Sequence, residues 1–314
     1  MNHKVYIRVP GTSANMGPGF DLLGMALKIY NEFYFTIDSS SNYTTLRVDN
    51  TLLPFSEKED LLKEGYTRYY QLFLPKIKPI AYNVKMDLNL PFKGGLGSSA
   101  SALVAGFALG NFLHKKHFVK KFPVPNTDRI LYELAMIEGH PDNTTPALMG
   151  GFVFSYFHNG KLIYFKEKFP SFVNLHLFIP QIEVSTNDSR KKLPEVYSTE
   201  DLIFNMSRIA TWLQFFKTKE FFHLERAVED KMHTPYRIKP LPLLNSVRDL
   251  CKNLGASFTL SGSGPTMLIY TEKKSEKKFL DKFQSEISKK NKTNIAYTIQ
   301  KVEPDNTGLI LKET

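Results

Sequence analysis

The sequence predicts an α+β protein built from two domains. Its 314 residues are enough for two hydrophobic cores. Strand-like segments and helix-like segments follow one another in irregular runs, without the strict strand–helix repeat of a doubly wound parallel sheet. Each half also has its own glycine-rich loop. We place the boundary near 165–172, beside Pro170, which gives domains of residues 1–168 and 169–314.

The first domain is predicted to begin with a strand, a loop and a second strand. Alternating apolar residues indicate a strand at 4–10, and further strand is expected over 23–38. The glycines, serine and proline of 11–21 are typical of a loop between them. Residues 39–58 are rich in Ser, Asn and Thr and contain Pro54, so we expect a surface loop or a short hairpin there.

The spacing of apolar residues predicts helices and strands in the rest of this domain. Apolar residues at helical spacing predict helices over 59–74, 98–113 and 127–138. The third helix has Asn126 or Thr127 as a plausible N-cap. Alternation predicts strands over 80–91 and 150–157.

The second domain is predicted to contain strands at its start, middle and end. They cover 172–181, two segments within 257–271 separated by a Gly-Ser turn, and 294–302. Helices are expected at 199–216, 219–230, 241–254 and 273–292. The Gly-Ser turn reads as a support for the neighbouring cleft, or as a plain hairpin turn.

Composition indicates a globular protein of the cytoplasm that needs no membrane. Hydrophobic residues make up 42% and charged residues 23% of the chain, which is ordinary for a globular domain. No apolar run approaches the length of a membrane span, and the first residues lack a secretory apolar core. The single cysteine, Cys251, excludes an intrachain disulfide and a multi-cysteine metal site.

The net charge of +10 raises the possibility of nucleic-acid binding. Half of that charge comes from 273–292, where eight lysines face three acids. A helix here would place Phe279, Leu280, Phe283 and Ile287 on one side, leaving the lysines in solvent. We therefore expect a solvated helix face and no nucleic-acid partner, with a non-catalytic RNA-binding protein as the distant alternative.

A glycine- and serine-rich segment is the strongest functional signal. It lies just ahead of a small, apolar helix and reads LPFKGGLGSSASALVAG over 90–106. The free N–H groups and positive end of a helix attract anions, so the segment is a candidate phosphate loop or, alternatively, an ordinary loop and helix cap. Neither a Walker P-loop nor a protein-kinase glycine loop occurs. The candidate phosphate-binding residues are Pro91, Phe92, Lys93, Gly94, Gly95, Leu96, Gly97, Ser98, Ser99, Ala100 and Ser101.

Four segments taken together resemble the GHMP kinase superfamily, and its homoserine kinase branch in particular. They occur in order at 9–27, 91–101, 138–152 and 255–270, and SANMGPGFD and GHPDN within them are the most specific. The resemblance implies a first domain like domain 2 of ribosomal protein S5 and a ferredoxin-like second domain. It also implies transfer of the γ-phosphoryl group of ATP, with Mg²⁺, to the side-chain hydroxyl of L-homoserine, and a homodimer. A GHMP kinase for a mevalonate-type acid or a sugar is the alternative.

Homoserine is a zwitterion, so its site needs an anion for the ammonium and cations for the carboxylate. Arginine suits carboxylates because its guanidinium donates two parallel hydrogen bonds. Arg190 and Arg237 match the carboxylate-binding positions that the resemblance implies, although each alone could be a surface residue. The remaining positions that match the implied substrate site are Asn15, Asp21, His140, Asn143 and Thr186.

Three assignments stay open at the level of sequence. Asp21 could act as a general base, or only orient homoserine through its ammonium. The resemblance places Ser98 near Mg²⁺, and the carboxylate ligand could be Glu138 or Glu133. Asp60 stands where relatives often have asparagine near the adenine pocket, which leaves the contacts with the base undefined.

Overall fold

The structure is a computed structural model that describes residues 2–38 and 40–314. Met1 and Ser39, the first residue of the predicted 39–58 loop, lie outside the described residues. The strands are β1 (His3–Ala14), β2 (Leu23–Ile37), β3 (Thr44–Arg47), β4 (Asn83–Leu88), β5 (Phe152–His158), β6 (Lys161–Glu167), β7 (Val173–Pro180), β8 (Ser257–Leu260), β9 (Met267–Glu272), β10 (Tyr297–Val302) and β11 (Ile310–Glu313).

Helices alternate with these strands in uneven groups, so the predicted α+β class is confirmed. The helices are α1 (Leu61–Phe73), α2 (Ser98–His117), α3 (Thr127–Glu138), α4 (Pro141–Met149), α5 (Thr186–Lys191), α6 (Thr199–Thr218), α7 (Phe221–Ala227), α8 (Thr234–Ile238), α9 (Pro242–Asn253) and α10 (Glu276–Lys290).

The first sheet has seven strands and is organised around β2. Strands β1 and β4 flank β2 in antiparallel pairs, and the amino end of β2 also pairs with β5. Strand β3 runs parallel to β4, β6 pairs with β5, and β11 returns from the end of the chain to pair with β1. The long strand β2 therefore joins the elements that approach the cavity described below.

Helices α1 and α2 cover this sheet and cross each other closely. A Cβ on Gly106 would approach the backbone N of Tyr66 to 2.8 Å, and one on Gly65 would collide with the carbonyl of Leu103. The small residues predicted to form a helix after the glycine-rich loop thus let two backbones meet. The core beneath contains the buried rings Tyr69, Phe107, Phe33 and Phe35.

The second sheet has four antiparallel strands in the order β10–β7–β9–β8. Helices α9 and α10 pack on it, and Phe279, Phe283 and Ile287 are buried on the inner side of α10. The prediction of an amphipathic, lysine-rich helix is confirmed. A further aromatic core, including Trp212, Phe152 and Phe215, joins strands of the first sheet to β7, β9 and helix α6.

Several elements differ from the sequence prediction. Strand β1 continues to Ala14 through the first part of the predicted loop, because Gly11–Ala14 pair with β2 after a register shift at Pro10/Gly11. Helix α4 was not predicted, since Pro146 inside it hides its helical pattern. The short helices α5 and α8 and the strands β3, β6 and β11 were also missed.

Within the described part of the chain, none of the helices combines the length and the apolarity that crossing a membrane requires. The loop between β6 and β7 contains Pro170 and coincides with the predicted domain boundary at 168/169, which stays a prediction.

Candidate active site

A cavity of about 350 Å³ lies where both halves of the chain meet. It is lined by the glycine-rich loop, the turn after β1, the α3–α4 junction, helices α5 and α8, and the turn between β8 and β9. Its lining includes all seven residues predicted to bind substrate, namely Asn15, Asp21, His140, Asn143, Thr186, Arg190 and Arg237. Eight of the loop residues line it as well: Pro91, Phe92, Lys93, Gly94, Gly95, Gly97, Ser98 and Ser99.

The carbonyls of residues 93–96 in the glycine-rich loop accept hydrogen bonds from other parts of the protein. Those of Lys93 and Gly94 accept hydrogen bonds from the backbone N–H groups of Val184 and Thr266, at 3.4 and 3.3 Å. The carbonyl of Gly95 accepts from the Ser261 hydroxyl at 2.6 Å. Four consecutive carbonyls, 93–96, are occupied in this way, the last by the N–H of Thr12 at 3.0 Å.

In the part of the chain that the structure describes, most backbone N–H groups of the same loop are not used in hydrogen bonds with the protein. Among the described residues, no acceptor bonds the backbone N–H groups of 95–100. Gly97, with φ +67°, is the N-cap of α2, and no side chain caps this helix. Ser98 is therefore the first helical residue and does not cap the helix. A row of N–H groups at the positive end of a 20-residue helix is an anion-binding arrangement.

The glycines of the loop are needed by the protein's own packing. Gly95 has φ +80°, and a Cβ there would lie 2.5 Å from the Ser261 carbonyl oxygen and 2.7 Å from that of Gly264. A Cβ on Gly97 would collide with the Thr12 hydroxyl. The sequence interpretation, that these glycines let phosphate approach, stays a prediction; the structure adds that they let the turn at 261–264 and strand β1 approach the loop.

Three predicted loop residues do not reach the cavity with their side chains. Leu96 and Ala100 are fully buried in the core. The buried Ser101 hydroxyl donates to the Ser98 carbonyl at 2.7 Å and accepts from the Asn31 amide at 2.9 Å. These side chains support the loop and the first turn of α2 from the protein side.

Asp21 and Arg190 form an ion pair across the other end of the cavity. The Arg190 guanidinium donates to Asp21 Oδ1 at 2.6 Å, although the two residues are 169 positions apart. Asp21 has φ +58°, and its backbone N–H donates to Asn15 Oδ1 at 3.0 Å. Asn15 also donates through Nδ2 to the Gly262 carbonyl at 2.9 Å. This network fixes the turn after β1 and aims a carboxylate into the cavity.

Arg237 is a second guanidinium, almost completely buried at 3% exposure. It donates to the Gly262 carbonyl at 2.9 Å, but its Nε has no acceptor among the described residues. Burial, together with the nearby positive charge of Arg190, lowers the pKa of Arg237 to about 10. A buried guanidinium with an unpaired N–H gains a favourable hydrogen bond and charge interaction when an anion binds to it.

His140 and Asp142 lie side by side at the α3–α4 junction. His140 Nδ1 is 2.6 Å from Asp142 Oδ1, and the side chain of Asp142 is buried. Burial opposes the charge on the imidazole, but the hydrogen bond and charge of Asp142, with Glu138 and Asp21 nearby, raise the pKa of His140 to about 9. His140 is therefore protonated at neutral pH and neutralises part of this acidic wall.

The two glutamates considered as metal ligands have different surroundings. Glu138 lines the cavity at the end of α3, and burial raises the pKa of its carboxyl group despite the nearby charge of His140. Glu133 faces away from the cavity lining and pairs with Arg129 one helical turn earlier. Geometry thus favours Glu138 over Glu133 as a candidate ligand.

One acidic cluster in the cavity has the composition of a metal site. Ligand atoms of Asp21, His140 and Asp142 lie within 4.8 Å of one another. A metal ion would first have to displace the proton of the His140 imidazole, and the raised pKa of His140 makes that less favourable. The cluster is better suited to hydrogen-bond an organic cation.

Sequence reasoning missed several residues that shape the cavity. Asp142 anchors both His140 and the backbone N–H of Asn15, at 3.2 Å for the latter. The Thr12 hydroxyl donates to Asn143 Oδ1 at 2.7 Å. Gly262 and Ser263 line the cavity directly, and the hydroxyls of Ser263 and Thr186 are 3.5 Å apart. The only available signals were the acidic residue inside GHPDN and the glycine-rich turn that we read as a support.

The chain is similar in sequence to a family of kinases and to individual relatives. The sequence profile described as "GHMP kinases N terminal domain" matches residues 62–151. Homoserine kinase from Clostridium acetobutylicum is 33% identical over 308 residues, which cover 98% of this chain and 99% of that protein. Homoserine kinase from Clostridium beijerinckii is 33% identical over 313 residues, with 98% and 99% covered.

Solved structures share the fold over the full length. The crystal structure of homoserine kinase from Cytophaga hutchinsonii superimposes with a TM-score of 0.81 at 22% identity, covering 99% of this chain and 98% of that one. Mevalonate diphosphate decarboxylase from Enterococcus faecalis gives a TM-score of 0.64 at 18% identity, with both chains covered completely. These likenesses confirm the predicted GHMP kinase fold.

Proposed function

This chain belongs to the homoserine kinase family of GHMP kinases, and on that basis we propose that it transfers the γ-phosphoryl group of ATP to the side-chain hydroxyl of L-homoserine. The hydroxyl oxygen attacks the γ-phosphorus, the bond to the bridging oxygen of ADP breaks, and O-phospho-L-homoserine forms. The product serves threonine biosynthesis, and the enzyme is a phosphotransferase with an alcohol acceptor.

The observation that supports this function best is the row of free backbone N–H groups at 95–100. Across the cavity lie Asp21, Arg190 and Arg237, whose charges complement the ammonium and carboxylate groups of an amino acid. Phosphoryl transfer needs little covalent help from the protein, but it needs alignment and neutralisation of negative charge. The amides and the positive end of α2 would hold the phosphates of ATP. The side chains across the cavity would hold the amino acid within reach.

Homoserine complements both partners of the Asp21–Arg190 ion pair. The ammonium group would approach Asp21, and the carboxylate would approach Arg190 and the unused Nε of Arg237. Inserting a zwitterion between Asp21 and Arg190 replaces one ion pair by two, so no charge is left buried and unpaired. Asn15, His140, Asn143 and Thr186 complete the wall around the substrate.

We assign Asp21 to orienting the substrate rather than to removing the hydroxyl proton. Its carboxylate already accepts a hydrogen bond from the Arg190 guanidinium at 2.6 Å, so part of its accepting capacity is used. A charge-neutralised carboxylate still attracts an ammonium group. The hydroxyl proton would then leave to solvent or to the transferred phosphoryl group.

A divalent cation fits the residues between the loop and α3. Ser98 and Glu138 supply the hard oxygen donors that Mg²⁺ prefers, and both line the cavity. When bound, Mg²⁺ would neutralise charge on the phosphates of ATP. Ser98 and Glu138 would hold it from the protein side.

The assembly and location of the enzyme also form part of this proposal. We expect a homodimer in the cytoplasm, as the family resemblance implies, with small molecules as its substrates and no nucleic acid or membrane partner. The buried position of the single thiol, Cys251, agrees with a protein that needs no disulfide. Light scattering during size-exclusion chromatography measures the oligomeric state directly.

A coupled ADP-release assay with a panel of alcohols tests the proposed activity. ATP, Mg²⁺ and L-homoserine should give steady turnover, while mevalonate and sugars should give little. Turnover with mevalonate or a sugar but none with homoserine would overturn the specific assignment and leave the superfamily assignment intact. RNA binding without any ADP release would instead favour the non-catalytic alternative.

A further inference from the structure

Three buried side chains bind three consecutive carbonyls of the turn after β1. Trp212 Nε1 donates to the Met16 carbonyl at 3.1 Å. His233 Nε2 donates to that of Gly17 at 2.8 Å, and Asn205 Nδ2 to that of Pro18 at 3.4 Å. All three donors belong to helix α6 or to the residue that precedes α8, and each is 3% exposed or less.

The bound turn is the segment that presents Asp21 to the cavity. Its backbone has positive φ at four positions that include Asn15, Met16 and Asp21, so it depends on its surroundings to hold this shape. The ring of Phe20 in the same turn lies 5.0 and 5.2 Å from the guanidinium carbons of Arg190 and Arg237. Movement of the turn would therefore move Asp21 relative to both arginines.

Asp230 connects Asn205 of helix α6 to the start of helix α8, which contains Arg237. Its carboxylate accepts from Asn205 Nδ2 at 2.9 Å and from the backbone N–H groups of Met232, His233 and Thr234, at 2.6 to 3.1 Å. Burial raises the pKa of this carboxyl group, but the neighbouring His233 imidazole and the hydrogen bonds from Asn205, Thr234 and Met232 lower it overall. The aspartate thus holds the start of α8 and the amide of Asn205 together.

His233 contacts both sides of the same assembly. Its Nε2–H is used by Gly17, so Nδ1 has a lone pair that faces the Arg237 guanidinium at 3.4 Å. Burial lowers the pKa of His233, which keeps the imidazole neutral and preserves that lone pair. One side chain therefore touches the turn that bears Asp21 and the arginine opposite it.

We propose that Asn205, Trp212, Asp230 and His233 are positioning residues that fix the distance between Asp21 and Arg237, and hence the enzyme's selectivity for an α-amino acid. The inference rests on the proposed function. The two charges of homoserine lie on one carbon, so both are bound well only if their partners are held at one separation. None of the four residues lines the cavity.

The test removes one donor at a time while keeping the bulk of the side chain. Trp212→Phe, Asn205→Leu and His233→Leu should each raise KM for homoserine about 10- to 50-fold, and leave KM for ATP within about twofold, because the phosphate loop is held by other contacts. His233→Gln retains an N–H donor of similar reach and should recover part of the loss. Tyr270→Phe is the matched control, since it removes a buried hydrogen bond to Thr259.

Selectivity gives a readout that loss of stability would not move. The wild-type enzyme should reject 4-hydroxybutyrate, which lacks the ammonium, and 3-aminopropan-1-ol, which lacks the carboxylate. The ratio of kcat/KM for homoserine to that for each analogue should fall at least about fivefold in the donor variants and stay constant in Tyr270→Phe. An unchanged ratio, or equal increases in both KM values, would overturn the proposal. Failure of the wild-type enzyme to use homoserine would instead refute the proposed function.

Discussion

In the proposed function, the two ends of the cavity recognise their ligands by different means. The phosphate end uses the main chain, because four carbonyls at 93–96 point inward and leave the amides of 95–100 free. The amino-acid end uses side chains, with Asp21, Arg190 and Arg237 contributed by three distant segments. Main-chain recognition depends on the shape of one short loop, whereas side-chain recognition depends on the docking of several elements.

This difference predicts which kinds of substitution should impair each end of the cavity. The phosphate loop should tolerate changes in side-chain chemistry, except at the proposed magnesium ligand Ser98, but not changes in backbone conformation, because its phosphate-binding groups are backbone N–H groups. The amino-acid end tolerates little change in side-chain chemistry, since each charge of the ligand has few partners. The predictions below follow from this contrast, in order of decreasing effect.

Gly95→Ala, at the phosphate end, should cause the largest loss of kcat/KM among the variants considered. The new Cβ would meet the carbonyl oxygens of Ser261 and Gly264, at 2.5 and 2.7 Å, in a backbone with φ +80°. Displacing the loop by about 1 Å should lower kcat/KM at least about 100-fold. Steady-state kinetics for both substrates measure this loss. Gly160→Ala is the matched control, because Gly160 has φ +69° but no neighbour within 4 Å of a new Cβ. Equal losses in both variants would mean that backbone strain alone explains the effect.

Arg237→Lys should have the next largest effect, at the amino-acid end. An ammonium group cannot reproduce the donation of Arg237 to both Gly262 and a carboxylate, so KM for homoserine should rise about 30- to 100-fold. KM for ATP should change little. Arg129→Lys, on the exposed side of α3, should leave both constants unchanged. A larger change in KM for ATP than for homoserine would contradict the division between the two ends.

Asp21→Asn separates orientation from base catalysis. We expect KM for homoserine to rise about 10-fold or more and kcat to fall less, because the amide keeps its size but loses the charge that attracts the ammonium. Initial rates over a range of homoserine concentrations give both constants. An unchanged KM with a fall of several orders of magnitude in kcat would identify Asp21 as the general base.

The smallest predicted effect concerns the pH dependence of the metal requirement. Because the pKa of Glu138 is raised, its carboxyl group takes up a proton as pH falls, and a cation must displace that proton. The apparent affinity for Mg²⁺ should therefore weaken several-fold as pH falls from neutral. Titrations of Mg²⁺ at fixed ATP and several pH values measure this. Glu138→Gln should weaken binding and flatten the pH dependence, and Glu133→Gln should preserve it. The opposite pattern would assign the metal to Glu133.

Much of the phosphate end was predictable because its information is local. A contiguous run of glycines and serines ahead of a small-residue helix indicated the loop, and α2 begins at Ser98 as predicted. The reason for the glycines was not local. Position 95 needs a glycine because a turn 166 residues away packs against its backbone, and no local sequence pattern indicates that contact.

The amino-acid end was predictable only through the family resemblance. Arg190 and Arg237 lie on the short helices α5 and α8, which were missed because five or six residues are too few to show helical periodicity. Asp142 was missed as well, since its role depends on contacts with His140 and Asn15. The anchors Asn205, Trp212 and His233 lie 187 to 216 residues from the carbonyls they bind.

Strand β11 has a consequence for the order of events during synthesis. Residues 310–313 pair with residues 5–8, so one edge of β1 stays unpaired until residues 310–313 have left the ribosome. An exposed strand margin can pair with another nascent chain. We therefore expect polypeptides that stop before residue 310 to form inclusion bodies more readily than the full chain, even though they retain every residue that lines the cavity.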